Sequence, residues 1–202
     1  MNAQFIRVYA TIPCTKALGP YTRFAIWFQG CKKRCPGCMT PTARAFDGGS
    51  LIGVDSLVDQ ILSDPIIEGV TISGGEPFEQ SEALSALTTA LKAQSHIGII
   101  VYSGYTLDEL RRMEDVNVEQ ALSQIDLLID GPYIRQLDDG LSLRGSSNQA
   151  IRPLTNRYES VIKSYYGLPR REAELHLLNN DILLVGIAGK DTLNLWKNRR
   201  TL

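Results

Sequence analysis

No stretch of this 202-residue chain approaches about 18 uninterrupted apolar residues, so an ordinary membrane-spanning helix is not expected. Excess charge of one sign is missing too. Lys and Arg number 21 against 22 Asp and Glu, which gives no electrostatic reason to expect a nucleic-acid or membrane-surface partner. The opening Met1–Arg7 lacks a basic segment followed by an apolar one, so no secretory signal is expected and a cytoplasmic location is. No repeats or low-complexity linkers interrupt the chain, and no Ser/His/Asp pattern of a hydrolase occurs. Histidine is scarce. His96 and His176 have no neighbours in sequence that complete a ligand set, and both read as structural. Cysteine is also sparse, with four residues spaced too unevenly for a disulfide framework.

The rest of the composition is that of a globular protein, 44% hydrophobic and 21% charged, with a length that suits one domain and a sizeable core. Val54, Leu57, Val58, Ile61 and Leu62 follow the i, i+3, i+4, i+7, i+8 spacing of an amphipathic helix. Ala83, Leu84, Leu87 and Leu91 mark a second helix, and the polar stretch from Thr106 to Ser123 is compatible with a third. Between these lie short apolar runs that end at glycines: Phe24–Phe28, Gly69–Ile72, Ile97–Tyr102 and Asp126–Gly131. Strands apolar throughout, alternating with helices, point to parallel βα units covered on both faces. The expected fold is therefore α/β, a partial barrel of parallel strands over residues 1–150. Residues 151–202 form an appendage, with a β-hairpin from Glu172 to Ile187 around Asn179-Asn180-Asp181 and a basic, helical or frayed tail from Leu193 to Arg200.

In such folds the loops at the carboxyl ends of strands carry the chemistry, and the unusual residues fall there. Cys31-Lys-Lys-Arg-Cys35-Pro-Gly-Cys38 places three thiols on one loop, soft ligands suited to an iron–sulfur cluster or zinc. Three thiolates on a [4Fe–4S] cluster would leave one iron open to an outside ligand. Lys32, Lys33 and Arg34 either lower the thiol pKa values or are simply solvated. Cys14 could complete an all-cysteine site, though structural zinc ligands usually come as two short-spaced pairs. Ser73-Gly74-Gly75-Glu76-Pro77 ends the next strand. Paired glycines let a ligand approach the backbone, and the carboxylate can take an ammonium group. Asp138-Asp139 reads as a solvated turn, and Tyr102 and Tyr105 as strand-end packing residues that could border a site.

The C-x3-C-x2-C loop followed by Gly-Gly-Glu-Pro resembles the radical S-adenosylmethionine (SAM) superfamily. Gly19-Pro-Tyr-Thr-Arg23, Ile26-Trp-Phe-Gln-Gly-Cys31, Tyr102-Ser-Gly-Tyr105, Leu128-Ile-Asp-Gly-Pro-Tyr133 and Arg144-Gly-Ser-Ser-Asn-Gln149 further resemble the activating proteins of anaerobic ribonucleotide reductase. They resemble more loosely the pyruvate formate-lyase-activating enzymes. The resemblance spans roughly residues 5 to 150. It implies that Cys31, Cys35 and Cys38 hold a [4Fe–4S] cluster whose open iron is chelated by SAM. It also implies that Gly74, Gly75, Glu76 and Pro77 meet the methionyl part of SAM. Ser103 and Asp130 would serve the ribose or methionyl end, and Arg144 to Gln149, including Asn148, would face SAM or the substrate. One electron from a flavodoxin- or ferredoxin-type donor then yields methionine and a 5′-deoxyadenosyl radical, which takes hydrogen from a backbone glycine of a partner enzyme. The cofactor supplies the difficult chemistry and the protein its geometry.

Met39-Thr40 departs from the aromatic–Asn usual in that branch, and residues 151–202 exceed its short members. Two other readings stand beside the activase. One is a small-molecule or peptide-modifying enzyme, since Thr40 is similar to the magnesium-holding threonine of short 7-carboxy-7-deazaguanine synthases, with Met39 in place of their Asp. The other is a non-catalytic cluster or zinc protein that recruits a partner through the free edge of the late hairpin.

Overall fold

The four glycine-ended apolar runs become the middle of one seven-stranded sheet. Its strands are β1 (Phe5–Thr15), β2 (Arg23–Phe28), β3 (Ser50–Gly53), β4 (Gly69–Gly74), β5 (Gly98–Ser103), β6 (Leu127–Asp130) and β7 (Ala150–Pro153), in the order β3-β1-β2-β4-β5-β6-β7. This computed structural model describes residues 4–165, 171–178, 181–189 and 192. Strands β2, β4, β5 and β6 run parallel, with Ile26 opposite Ile72, Ile72 opposite Val101 and Val101 opposite Leu128. Those four side chains enter the main core. Their sequence neighbours Ala25, Ile100, Leu127 and Ile129 turn to the opposite face and are equally buried. Burial on both faces is why these strands read as continuous apolar runs.

Helices α1 (Val54–Leu62), α2 (Ser81–Gln94) and α4 (Val116–Gln124) cover the first face. Val54, Leu57, Val58 and Ile61 of α1 are buried there, as their spacing requires. The polar stretch from Thr106 divides into α3 (Leu107–Arg111) and α4. A capping box opens α3, in which Thr106 Oγ1 accepts from Glu109 N and the Glu109 carboxylate accepts from Thr106 N. The break coincides with Glu114, whose φ of 51° is left-handed, and Asp115 caps α4 by accepting from Asn117 N.

Of the expected partial barrel of parallel strands, the parallel core is present and the flanking strands differ. Strand β1 is antiparallel to both its neighbours β2 and β3, and β7 is antiparallel to β6. The sheet ends on β3 and β7 as edges, so its described strands form an open, mixed sheet. A border at residue 150 would fall inside β7, so the sheet itself continues to Pro153. Beyond it Tyr158, fully buried, enters the second face beside Ile100, Leu127 and Ile129, followed by α5 (Glu159–Tyr165).

Buried Arg23, at the start of β2, ties these parts together. Its guanidinium donates to Thr71 Oγ1 (2.5 Å), to the carbonyls of Val70 (2.6 Å), Pro20 and Gly98 (both 3.1 Å), and to the Tyr158 hydroxyl (2.8 Å). The late hairpin is present as β8 (Ala173–Leu178) paired antiparallel with β9 (Asp181–Gly186). The expected tail from Leu193 to Arg200 lies outside the described residues. Among the described residues no helix is long and apolar enough to cross a membrane.

Candidate functional site

The carboxyl ends of β2, β4 and β5 open onto a cavity of about 680 Å³. Cys31, Cys35 and Cys38 border it from the loop that follows β2, and each is partly exposed. Two local rules shape this loop. Pro36 and Gly37 sit at the second and third positions of a turn, with Gly37 at φ +79° and Cys38 N donating to Cys35 O at 3.2 Å. That is a type II turn, which wants Pro then Gly and holds its first and last residues close. At the loop's base Cys31 N donates to Arg44 O, and Gln29 Nε2 donates to the carbonyls of Thr42 and Ala45.

Gly74 and Gly75 are required by packing. A Cβ on Gly74, at φ +115°, would run into the backbone of Phe28, and one on Gly75 into the carbonyls of Gly30 and Ala43. Gly75 N donates to Phe28 O and Glu76 N to Gly30 O, so the Gly-Gly segment is stitched to the root of the cysteine loop. Glu76 is 1% exposed. Its carboxylate accepts from Gly104 N (2.6 Å), Ser103 Oγ (2.9 Å) and Phe78 N (3.2 Å). Burial nevertheless pushes the carboxyl up to about 7. Gly74, Gly75, Glu76 and Ser103 all border the cavity, while Pro77 is buried at the start of the short 3-10 helix Pro77–Gln80.

The lysines of the cysteine loop are tied down. Lys32 pairs with Glu79 at 2.6 Å, and Glu79 also accepts from the Tyr105 hydroxyl at 2.7 Å. Lys33 lies 4.1 Å from the centre of the Tyr105 ring and 3.7 Å from Glu109. Arg34 is exposed. Burial pushes the Cys31 thiol up to about 11, and the Glu76 carboxylate reinforces it. A bound cation must displace that proton, so loading releases protons.

Other expected site residues are used within the scaffold. Asp130 is buried and accepts from Leu107 N (2.7 Å) and Arg152 Nε (2.8 Å), so its carboxylate fixes α3 and β7. Arg144 pairs with Asp139, and Asn148 donates to Pro132 O. None of these three borders the cavity, although Gly145 and Gln149 from the same segment do. Asp139 is exposed and accepts from Leu141 N, as a solvated turn requires, whereas Asp138 forms an ion pair with Arg171 in which both side chains are under a tenth exposed. His96 is exposed and His176 contacts Glu174. Cys14 is exposed on β1 and apart from the cavity wall.

Sequence reasoning missed Tyr9, Trp27 and the β9 residues Leu183 and Leu184, all of which border the cavity. The period of two was available for Trp27, since Ala25 and Trp27 must face away from Ile26. On β1 it holds only at the start, where Ile6 and Val8 enter the first face; beyond a register shift Ile12 lies with Ala25 on the opposite one.

The donor set suits an iron–sulfur cluster: three soft thiols face one cavity beside backbone that a ligand can approach. Among the described residues no three Cys, His, Asp or Glu side chains converge on a single ion. A cluster offers a separate iron to each thiolate.

Residues 17–152 match the family described as 4Fe-4S single cluster domain. The anaerobic ribonucleoside-triphosphate reductase-activating protein of Escherichia coli K12 is 32% identical over 145 residues, covering 67% of this chain and 91% of that protein. Its counterpart in Vibrio cholerae is 32% identical over 146 residues, covering 68% and 91%. A 7-carboxy-7-deazaguanine synthase of Hyperthermus butylicus is 33% identical over 92 residues, 44% of this chain and 38% of that one. With a thiol-lined cavity at the strand ends and a match over most of its sheet, the chain belongs to the 4Fe-4S single cluster domain family, as an activase-like member of the radical SAM superfamily.

Proposed function

We propose that this chain reductively cleaves SAM and installs a glycyl radical on a partner enzyme, an anaerobic ribonucleotide reductase. In this reading Cys31, Cys35 and Cys38 hold one [4Fe–4S] cluster, and a flavodoxin- or ferredoxin-type protein supplies the electron. The observation that carries it is the meeting of three thiols with the Gly74–Glu76 backbone on one cavity, in a chain that aligns with nine-tenths of an activating protein. When bound, the cluster and SAM supply one-electron cleavage of the sulfonium bond and a radical able to take hydrogen from glycine.

The chain's own part is placement. The Pro36-Gly37 turn sets Cys35 and Cys38 side by side. Gly74 and Gly75, packed against the root of the cysteine loop, present cavity-wall backbone to the ligand's amino and carboxylate groups. Glu76, held by Ser103 and Gly104, offers negative charge to an ammonium. Pairing of Lys32 with Glu79 and stacking of Lys33 on Tyr105 pin the loop, and Trp27 gives the cavity an apolar side.

The test is anaerobic reconstitution with iron and sulfide, then reduction with SAM present, with and without the organism's own reductase. Expected are 5′-deoxyadenosine and, on adding the reductase, a glycyl-radical doublet in electron paramagnetic resonance. Cys35→Ser or Cys38→Ser should abolish both while the circular dichroism of the fold persists. Retained cleavage in either cleanly metallated variant overturns the ligand assignment. Cleavage without radical transfer to any protein favours the small-molecule reading, for which Thr40 is suitably placed on the cavity wall.

A further inference from the structure

Gly131, Tyr133, Gly145 and Gln149 border the thiol-lined cavity beyond the carboxyl end of β6. Together they make one wall. The Gln149 side-chain carbonyl accepts from Gly145 N (2.9 Å) and Ser146 N (3.2 Å), and its amide donates to Gly131 O (3.1 Å). A Cβ on Gly145 would lie 2.9 Å from the Tyr133 ring, so the ring rests directly on this glycine. In the sheet β6 stands two places from β4, roughly 10 Å at about 4.8 Å per step. The thiols occupy the other side, on the loop after β2. A ligand held at Gly74–Glu76 therefore has its remaining length to lay towards this wall.

The brace of this wall comes from outside the matched family region, which ends at residue 152. Arg171, just before β8, has a side chain only 7% exposed. Its guanidinium pairs with Asp138 at 2.7 Å and donates to the carbonyls of Leu141 (3.1 Å), Arg144 (3.3 Å) and Gly145 (3.4 Å). It thus grips both ends of the segment 138–145. That segment needs a grip, because Leu143 holds a left-handed φ of 63° while buried. Backbone strain of this kind persists only where the surroundings over-determine it. Arginine suits the task. A planar fork of five donors reaches a carboxylate and three carbonyls at once, which a lysine ammonium with three donors does not.

Resting on the function proposed above, we infer that Arg171 is a positioning residue for SAM. Arg171 itself does not border the cavity. It acts through the Gly145 carbonyl on the wall that meets the part of SAM beyond its methionyl group. Without the guanidinium the Arg144–Gly145 peptide is free to turn. Turning draws Gly145 N and Ser146 N off Gln149 and removes the support beneath the Tyr133 ring. The cavity then loses its shape on the β6 side, while the cysteine loop keeps its roots on β2 and the Arg44 carbonyl. The signature is a defect in SAM affinity that is separate from cluster loading.

The experiment measures SAM binding by the reconstituted full-length protein and hydrogen–deuterium exchange of the cluster-free protein. Arg171→Met keeps the stem and removes the guanidinium, whereas Arg171→Lys keeps the charge beside Asp138 and gives up the fork. Glu174→Gln is the control, because the Glu174 hydrogen bonds go to Thr15, Lys16 and His176 and loosen the hairpin elsewhere. Arg171→Met should raise the SAM dissociation constant about tenfold, the effect of one lost charge-assisted hydrogen bond. KM for SAM should rise with it, while kcat at saturating SAM and iron content stay near wild type. Exchange at the Gly145 and Ser146 amides should quicken. Arg171→Lys should fall between, and Glu174→Gln should match wild type in both readouts. Equal losses in Glu174→Gln and Arg171→Met would mean that residues 171–189 act only through overall stability, and the inference fails. Wild-type affinity in Arg171→Met defeats it too, and if that variant does not fold, wild-type affinity in Arg171→Lys does the same. The function reading fails separately, as SAM bound but not cleaved or as cleavage with no radical on the intact reductase, and the affinity comparison then still decides the role of Arg171.

Discussion

The two ends of the parallel strands each bury a charged side chain, and they treat it in opposite ways. At the amino ends Arg23 is fully enclosed, and its donors are taken up by Thr71, the Tyr158 hydroxyl and three carbonyls. At the carboxyl ends Glu76 is just as buried and has three donors of its own, yet it borders the cavity and burial pushes it up to about 7. Guanidinium does not give up its proton in a protein, so it serves to lock a floor. A carboxyl raised into the neutral range changes charge with its surroundings, which suits a wall that meets a charged ligand. Gly69 and Gly98 belong to the floor for the same reason that Gly74 and Gly75 belong to the rim. A Cβ at Gly69 would run into the Arg23 guanidinium, and one at Gly98 into the Tyr158 hydroxyl.

The contrast can be broken most forcefully at the floor. Arg23→Met removes the guanidinium but leaves its buried acceptors and the Tyr158 hydroxyl without it, a loss of about 3–5 kcal/mol. The urea midpoint should drop accordingly, and Tyr158→Phe should show roughly a third of that effect, about 1 kcal/mol. If the two ends are independent, Arg23→Met that still folds takes up iron and sulfide normally. Loss of the cluster with little loss of stability would show instead that the floor positions the rim.

At the rim the expected effect is smaller and depends on pH. Between the ordinary value of 4.5 and about 7, Glu76 holds more protons in the folded chain than in the unfolded one. Its contribution to stability is therefore fully present below the unfolded value and is lost as pH rises towards about 7, by on the order of 3 kcal/mol at most. Comparing urea midpoints of the cluster-free protein at about pH 5 and pH 8 should show this decline in wild type and a flatter profile in Glu76→Gln. Identical slopes would mean that the three donors hold Glu76 ionised throughout, and the contrast with Arg23 would collapse.

The central strands and the rim were legible because two-sided burial leaves continuous apolar runs, and because glycines end each run where the chain turns into a loop. Strand β1 was harder to see. Its register shifts between Val8 and Ala10 and again between Ile12 and Thr15, so its alternation breaks and Pro13 interrupts it. That the cysteine and Gly-Gly-Glu segments would meet at one rim was legible, since both follow strands that the apolar runs place side by side. The scaffold contacts of Asp130, Arg144 and Asn148 were not legible. Polar residues just beyond strands cap helices and brace loops as readily as they bind ligands, and their partners Leu107, Asp139 and Pro132 are set by the tertiary fold. The role of β9 was hidden for a related reason. Nothing local in a hairpin indicates which cavity its side chains will border.

The smallest expected effect lies in the turn that spaces two of the thiols. Gly37 holds φ at +79°, which an L-residue adopts only with strain, so Gly37→Ala should cost about 1 kcal/mol. Crowding adds little, because the nearest atom to a new Cβ is Arg135 Cδ at 3.2 Å, in a long exposed side chain that can move aside. The cost therefore falls on the turn itself. Relief of the strain means opening the Cys35–Cys38 hydrogen bond, which spreads the two thiols. A chelator should then strip iron faster from Gly37→Ala than from wild type, while the urea midpoint of the cluster-free protein moves only slightly. Gly37→Asn should fall between them, since asparagine tolerates the left-handed region better than alanine. A ranking of wild type, asparagine, alanine assigns the effect to backbone conformation. An asparagine variant worse than alanine would assign it to crowding against Arg135, and the turn would then matter less to the thiol spacing than its geometry indicates.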